Sequence, residues 1–429
     1  MRASTARIDG AVVTVRAMKR RHFVSLLGAT AISPRALSST EAADRCATPL
    51  PEALARHELV GAAWEGIDPA RVWDAHAHVV GVGNAGTGTY VHADTATWLS
   101  PIERARRLFI MRAACVSSVP DDAVDAAYVD RLLSYANAMP AGYRVLLFAF
   151  DYAVDDSGRE QPALSTFAVP NDYIERIAAR HPQRFGWVGS VHPYRPDAIE
   201  RLERAVAAGA RGVKWLPSSM AIDPASSRCD AYFAALVRHS LPLIVHGGEE
   251  KAAPGARQEA LNNPLRLRRA LDAGVRVVVA HCASLGHAID TDRGSVRDNS
   301  GPEVRAFDLF ARLMDDPRYG PRLHGDVSAI FQRNRAPEVQ RMIVTRADWH
   351  GRLLHGSDYP LPGIGFLYNL DALVSAGLLA AAAVPVLDAI RAHNPLLFEF
   401  VLKRTVAADR ARLAPAVFHT RDFFSSPNI

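Results

Sequence analysis

From residue 70 onward the chain alternates between two hydrophobic patterns. One is a short apolar run bounded by Gly or Pro, the pattern of a strand buried on both faces. Such runs predict strands at Val72–Ala75, Arg144–Phe150, Gly186–Val191, Gly212–Trp215, Leu243–Val245, Val275–Ala280, Leu323–Val327 and Arg352–Leu354. The other is amphipathic, as at Asp172–Arg180, Asp197–Ala208, Asp230–His239 and Pro264–Ala273; in the third of these Ala231, Ala234, Ala235 and Leu236 fall near one helical face. Alternation of this kind builds βα units and a parallel sheet. Eight units fit a closed (β/α)8 TIM-type barrel better than an open doubly wound sheet, and no G-x-G-x-x-G follows the first strand to support dinucleotide binding. The stretch from about 79 to 120 is long for a βα connection. It predicts an inserted loop, including the glycine-rich Gly81–Gly88, and a helix around Pro101–Ala114. The barrel is expected over 71–400, after a lead-in at 46–70 and before a C-terminal tail at 401–429.

Composition leaves that picture intact. Of 429 residues, 49% are hydrophobic and 22% charged, ordinary for a globular chain with a sizeable core. The net charge of +5 belongs entirely to residues 1–45, where Arg2, Arg7, Arg16, Lys19, Arg20, Arg21, Arg35 and Arg45 face only Asp9, Glu41 and Asp44. The remaining body is neutral, so no nucleic-acid partner is expected. Cys46, Cys115, Cys229 and Cys282 are far apart with no CxxC, which argues against a zinc ribbon or redox dithiol; one disulfide fits an exported chain. In 18–33 a basic cluster, Lys19-Arg20-Arg21, precedes a short apolar run, and Arg20-Arg21-His22-Phe23 resembles a twin-arginine export signal. Residues 1–45 are therefore read as a leader, the start lying at Met1 or Met18. A periplasmic or exported location is expected, otherwise a cytoplasmic one. The apolar run is too short for stable membrane insertion.

Chemistry in such a barrel sits where strands end. The first predicted strand runs into Asp74-Ala75-His76-Ala77-His78, and two histidines at i and i+2 share one face. The fourth ends in Lys214-Trp215, the fifth in His246-Gly247-Gly248-Glu249-Glu250, the sixth in His281-Cys282, and the eighth in His355-Gly356-Ser357-Asp358. One histidine at a strand end is usually an ordinary polar contact. Four separate apolar strands that each stop at His or Asp point to a metal centre, since imidazole and carboxylate are the ligands of zinc and its neighbours. Glu249 and Glu250 lie within reach of the mouth and could orient a ligand histidine or meet a substrate amine. His192 and Trp215 are further pocket candidates, and Asp326 ends the seventh strand where it can orient a neighbour. His355 is read as buried support, and Cys282 receives no chemistry.

The order HxH, Lys, His, His, Asp resembles the amidohydrolase superfamily. Asp172-Tyr173, Pro182-Gln183-Arg184-Phe185, Gly212-Val213-Lys214, Gly356-Ser357-Asp358-Tyr359-Pro360 and the closing His393-Asn394-Pro395 are similar to its amidohydrolase-2 branch, which includes aminocarboxymuconate-semialdehyde decarboxylase and lactone hydrolases. The resemblance implies that His76, His78, His246 and Asp358 hold one divalent ion, zinc first among the candidates. It implies too that His281 contacts the nucleophile or the developing oxyanion and that Asp358 shuttles the proton. Lys214 stands where binuclear relatives carry a carboxylated bridging lysine; in the mononuclear branch it faces substrate, and one ion is the expectation, two the alternative. The activity expected is hydrolysis of a C–N or C–O bond (amide, lactone or ester) of a small molecule. A decarboxylase of the same branch is the first alternative, and a barrel that only binds metal or ligand the second. A homodimer is compatible with the resemblance.

Overall fold

The computed structural model describes residues 49–295 and 297–425; the leader, Cys46 and the export reading lie outside them. All eight expected strands form: β1 Trp73–His78, β2 Arg144–Phe148, β3 Phe185–Val188, β4 Val213–Trp215, β5 Leu243–His246, β6 Val277–Ala280, β7 Leu323–Asp326 and β8 Leu353–Leu354. Parallel pairing is continuous through β1-β2-β3 and through β4 to β8 in chain order. Two seams close the ring. Between β3 and β4, Gly189 N donates to Gly212 O at 2.9 Å and Lys214 N to Gly189 O at 2.7 Å. Between the chain leaving β8 and β1, Ala75 N donates to His355 O at 3.0 Å and His78 N to Tyr359 O at 2.9 Å. Gly356 is required at this seam, because a Cβ there would lie 2.6 Å from that of His76.

Strand parity separates two apolar regions. Val145, Leu147, Val213, Trp215, Val277 and Val279 face outward and pack with the buried faces of surrounding helices, such as Ile174 and Ile177 of Asn171–Arg180 or Phe307 and Phe310 of Ala306–Asp315. A second cluster, Trp73, Ala75, Leu146, Phe148, Val188, Ile244, Val278 and Leu354, fills the barrel interior. The expected helix at Pro264–Ala273 is broken: Asn263 caps a tight turn at Pro264–Leu267, and a short helix, Arg268–Asp272, follows.

The segment expected as a tail is structural. Residue 400 falls inside the helix Pro395–Thr405, which Asn394 caps by accepting from Leu396 N and Leu397 N. Beyond it, the helix Thr420–Ser425 stops the lower mouth: Phe424 joins the interior cluster, Thr420 Oγ1 accepts from Trp73 N at 2.8 Å, and Arg276 Nη1 donates to Phe423 O at 3.0 Å. Cys115 is disulfide-bonded, whereas Cys229 and Cys282 are free and buried. Among the described residues no helix is long and apolar enough to cross a membrane.

Candidate metal centre

The upper mouth opens into a cavity of about 310 Å³ that reaches down to the strand ends. In β1 the pairing register with β2 slips between Asp74 and Ala77, so this strand fits one residue more than its partner there. Trp73 and Ala75 thus stay in the interior while His76 and His78 still turn toward the cavity, and Asp74 turns away to accept from Ser357 N at 2.7 Å and from Tyr143 Oη at 3.4 Å. Burial pushes the Asp74 carboxyl up to about 6, against the donation it receives from Ser357.

His76 Nε2 lies 3.2 Å from His78 Nε2, and Asp358 Oδ1 lies 3.5 Å from the first and 3.3 Å from the second. Asp358 is brought there by its own backbone: it has φ 60°, and its N–H donates to His76 O at 2.7 Å. His281 joins from β6, its ring centroid 4.9 Å from that of His76 and 5.3 Å from that of His246. His281, Cys282 and Ala283 have φ of 55°, 51° and 50°, so the chain after β6 is also in the left-handed region, a local cost of roughly 1–3 kcal/mol per residue that recurs at functional sites.

Each of three rings is tied by its other nitrogen. His76 Nδ1 donates to Asp326 Oδ2 at 2.9 Å. His281 Nδ1 is 3.2 Å from the Ser328 carbonyl and 2.8 Å from Ser328 Oγ, and a carbonyl only accepts, so this nitrogen carries the proton. His246 Nδ1 faces Glu250 Oε2 at 3.3 Å. All three Nε2 atoms are therefore left as lone-pair donors, and His246 Nε2 is buried with no partner. Burial holds all three imidazoles below their ordinary range, hence neutral. Neutral rings oriented by a carboxylate or hydroxyl behind them are what a divalent ion requires, and His76, His78 and Asp358 place their ligand atoms within 4.8 Å of one another. The residues present fit the group.

Lys214 is buried in the floor, its Nζ 5.2 Å above the Phe148 ring. Burial pulls its amine down to about 8, with Asp326, Asp358 and Glu250 acting the other way. Glu249 lines the mouth, its carboxylate 3.3 Å from Lys251 Nζ, so Glu250, not Glu249, is the acid that backs His246. Two expected pocket residues are elsewhere. Trp215 neighbours Lys214 on β4 and must face the other way; its indole donates to Val191 O at 3.0 Å and packs by Tyr232 and Phe233. His192 is buried beside β4, with Nε2 2.8 Å from Met220 O and Nδ1 accepting from Tyr194 N. His355 is buried between Phe400 and Phe418, and Cys282 Sγ turns to Asp326 O at 3.2 Å, away from the cavity. Sequence reading missed Ser328, although it follows Asp326 at i+2 and so shares its face. It missed Gln332 and Arg335 as well; both lie in the loop after β7, where no periodicity marks them.

A closed (β/α)8 barrel with a histidine–carboxylate centre at its upper mouth defines a class of metal-using proteins. A family model described as amidohydrolase (the amidohydrolase-2 branch) matches residues 73–396, and the chain belongs to that metal-dependent family. No curated protein matches it. Solved structures similar to it include an uncharacterized TIM-barrel protein of Bordetella bronchiseptica (17% identity, TM-score 0.43, 74% of this chain and 98% of that one). Two others are a Pseudomonas putida protein assigned as a 2-pyrone-4,6-dicarboxylic acid hydrolase (17%, 0.39, 77% and 97%) and the 5-carboxyvanillate decarboxylase of Sphingomonas paucimobilis (12%, 0.40, 76% and 96%).

Proposed function

We propose that this chain is a metal-dependent hydrolase that cleaves a C–N or C–O bond of a small molecule. The observation that carries this reading is the set of neutral imidazoles backed through Nδ1, with His76 Nε2 and His281 Nε2 3.5 and 4.0 Å from the Asp358 carboxylate and the His246 ring 5.3 Å from that of His281. His76, His78, His246 and Asp358 would hold one divalent ion, zinc first among the candidates. Such an ion supplies Lewis acidity: it lowers the pKa of water and polarises a carbonyl. Asp358, whose Oδ2 lies 4.0 Å from His281 Nε2, takes the proton of the attacking water and later returns it to the leaving group. Because Ser328 fixes the proton on His281 Nδ1, His281 Nε2 acts as an acceptor. It orients the nucleophile; it does not donate to the oxyanion.

The test is metal content per chain by elemental analysis, with and without His246→Ala, followed by a substrate panel scored for acid release against CO2 release. About one equivalent, lost in the variant, together with acid release supports the reading. CO2 release makes the chain a decarboxylase. No retained metal leaves a barrel that binds a ligand without this chemistry. Two equivalents bring Lys214 in as a carboxylated bridge, a role that needs the neutral amine toward which burial moves it.

A further inference from the structure

Three charged side chains, Asp74, Glu399 and Lys403, are wholly buried, and none of them lines the cavity. Burying an ionic group is costly unless it is paired and hydrogen-bonded, so three beneath one turn of chain need a reason. Two of them answer each other. In the helix Pro395–Thr405, Glu399 and Lys403 form an ion pair one turn apart, and Tyr368 Oη donates to the same carboxylate. What remains points at the end of β8. Lys403 Nζ donates to Gly356 O at 2.6 Å, and from the β1 side Asp74 Oδ1 accepts from Ser357 N at 2.7 Å.

The Gly356 carbonyl and the Ser357 N–H belong to one peptide group. A buried amine and a buried carboxylate therefore grip its two poles with charge-assisted hydrogen bonds. Asp358 follows directly, at φ 60°, a conformation that a residue other than glycine keeps only where its surroundings over-determine it. Further bonds lock the same turn onto β1: Ser357 Oγ donates to His76 O at 3.4 Å and accepts from Tyr359 N at 3.1 Å. Asp74 Oδ1 also accepts from His76 N at 3.2 Å, so one carboxylate holds the backbone at His76 and the peptide that leads into Asp358.

We infer that Asp74 and Lys403 are positioning residues that clamp the Gly356–Ser357 peptide and thereby set Asp358 against His76 and His78. Neither lines the cavity; each acts through Asp358. The clamp is made of hydrogen bonds to a peptide, so an uncharged acceptor of the same shape serves in place of the Asp74 carboxylate. The inference rests on the reading of Asp358 as a metal ligand.

The test uses the full chain, stripped of metal and titrated with cobalt(II), whose visible absorption bands report the arrangement of its ligands. Amide hydrogen exchange over the peptide that spans 354–361, followed by mass spectrometry, reads the clamp without any metal. One jaw is removed by Asp74→Ala. The other is removed by Lys403→Met and Glu399→Gln together, which leaves no buried charge unpaired. Each should weaken cobalt binding by about 10–100-fold, alter its bands and speed exchange at Ser357 and Asp358. Asp74→Asn, which still accepts from Ser357 N, restores all three, and Phe424→Ala, which loosens the lower end of the barrel, moves none of them. Unchanged cobalt binding and exchange in the jaw variants overturn the inference. So does an Asp74→Asn chain as impaired as Asp74→Ala, or a Phe424→Ala chain that loses cobalt to the same extent, since the loss is then one of charge or of general stability. Should Asp74→Ala fail to fold, the paired substitution on the other jaw decides. A wild type that takes up no cobalt sinks the hydrolase reading, while the exchange contrast in the metal-free chain still judges the clamp.

Discussion

At the upper end of the barrel His76, His246 and His281 are buried with ring nitrogens facing inward; at the lower end His324 is buried with Nδ1 unpartnered as well. All four sit on or at the end of a barrel strand, and burial keeps His76, His246, His281 and His324 below the usual imidazole range. The surroundings divide them. The upper rings lie among Asp326, Glu250 and Asp358. His324 lies against Phe423 at 4.5 Å between rings, and the side-chain charges acting on it are those of Arg276 and Arg352. An orphaned ring nitrogen therefore signals a cation only where carboxylates converge on the same point. At the lower end it marks packing.

The comparison breaks most sharply at Asp358. Asp358→Asn keeps the shape and removes the base, so turnover should fall by about 10³-fold while most of the metal stays bound. Steady-state rates and metal content on one preparation decide it, and undiminished turnover removes the proton-shuttle role. Next in size is the opposite end. Phe424→Ala empties the stopper beneath the interior cluster and should cost about 3–5 kcal/mol by urea unfolding with little change in metal content. If Phe424→Ala instead stripped the metal, the two ends would not be separable.

Much of this division was legible in the sequence. Eight apolar runs predicted eight strands, and the polar residues that stop them are the residues at the upper mouth, because both properties are local. Two misplacements have different causes. Trp215 directly follows Lys214, and adjacent residues on a strand cannot share a face; parity excluded the tryptophan once the lysine was placed inside. His192 lies beyond β3, where parity no longer governs direction and Met220 O captures the ring. Phe423 and Phe424 read as a tail because a six-residue helix is too short to show a period. Gln332 and Arg335 carried no signal at all: their place at the cavity wall depends on a loop held by Gln340, a contact made only in the folded chain.

A finer cut separates the two adjacent glutamates. Glu250→Gln removes the charge behind His246 and should weaken metal affinity by about 10–100-fold, the usual effect of losing a partner behind a ligand. Glu249→Gln, which loses only a pairing with exposed Lys251, should change it little. Metal-competition titrations on both variants check this. Equal losses would mean that the rim as a whole attracts the ion and that His246 is not specifically oriented.

The smallest effect belongs to His324 and follows from its charge state. In the unfolded chain this imidazole takes up a proton below its ordinary 6.5; in the fold, burial delays that until about 3. The unfolded state thus binds more protons between these values, so the contribution is whole above pH 6.5 and declines as pH falls toward 3. The slope approaches about 1.4 kcal/mol per pH unit. Urea unfolding at stepped pH should show this decline in wild type and a shallower one in His324→Phe, where no proton can be taken up. The metal-stripped protein is the form to use, since protonation of His76, His246 or His281 would otherwise release metal in the same range and add a slope of its own. An unchanged slope in His324→Phe would place the acid sensitivity at the upper mouth, and the contrast between a packed histidine and a ligand histidine would no longer hold at the lower end.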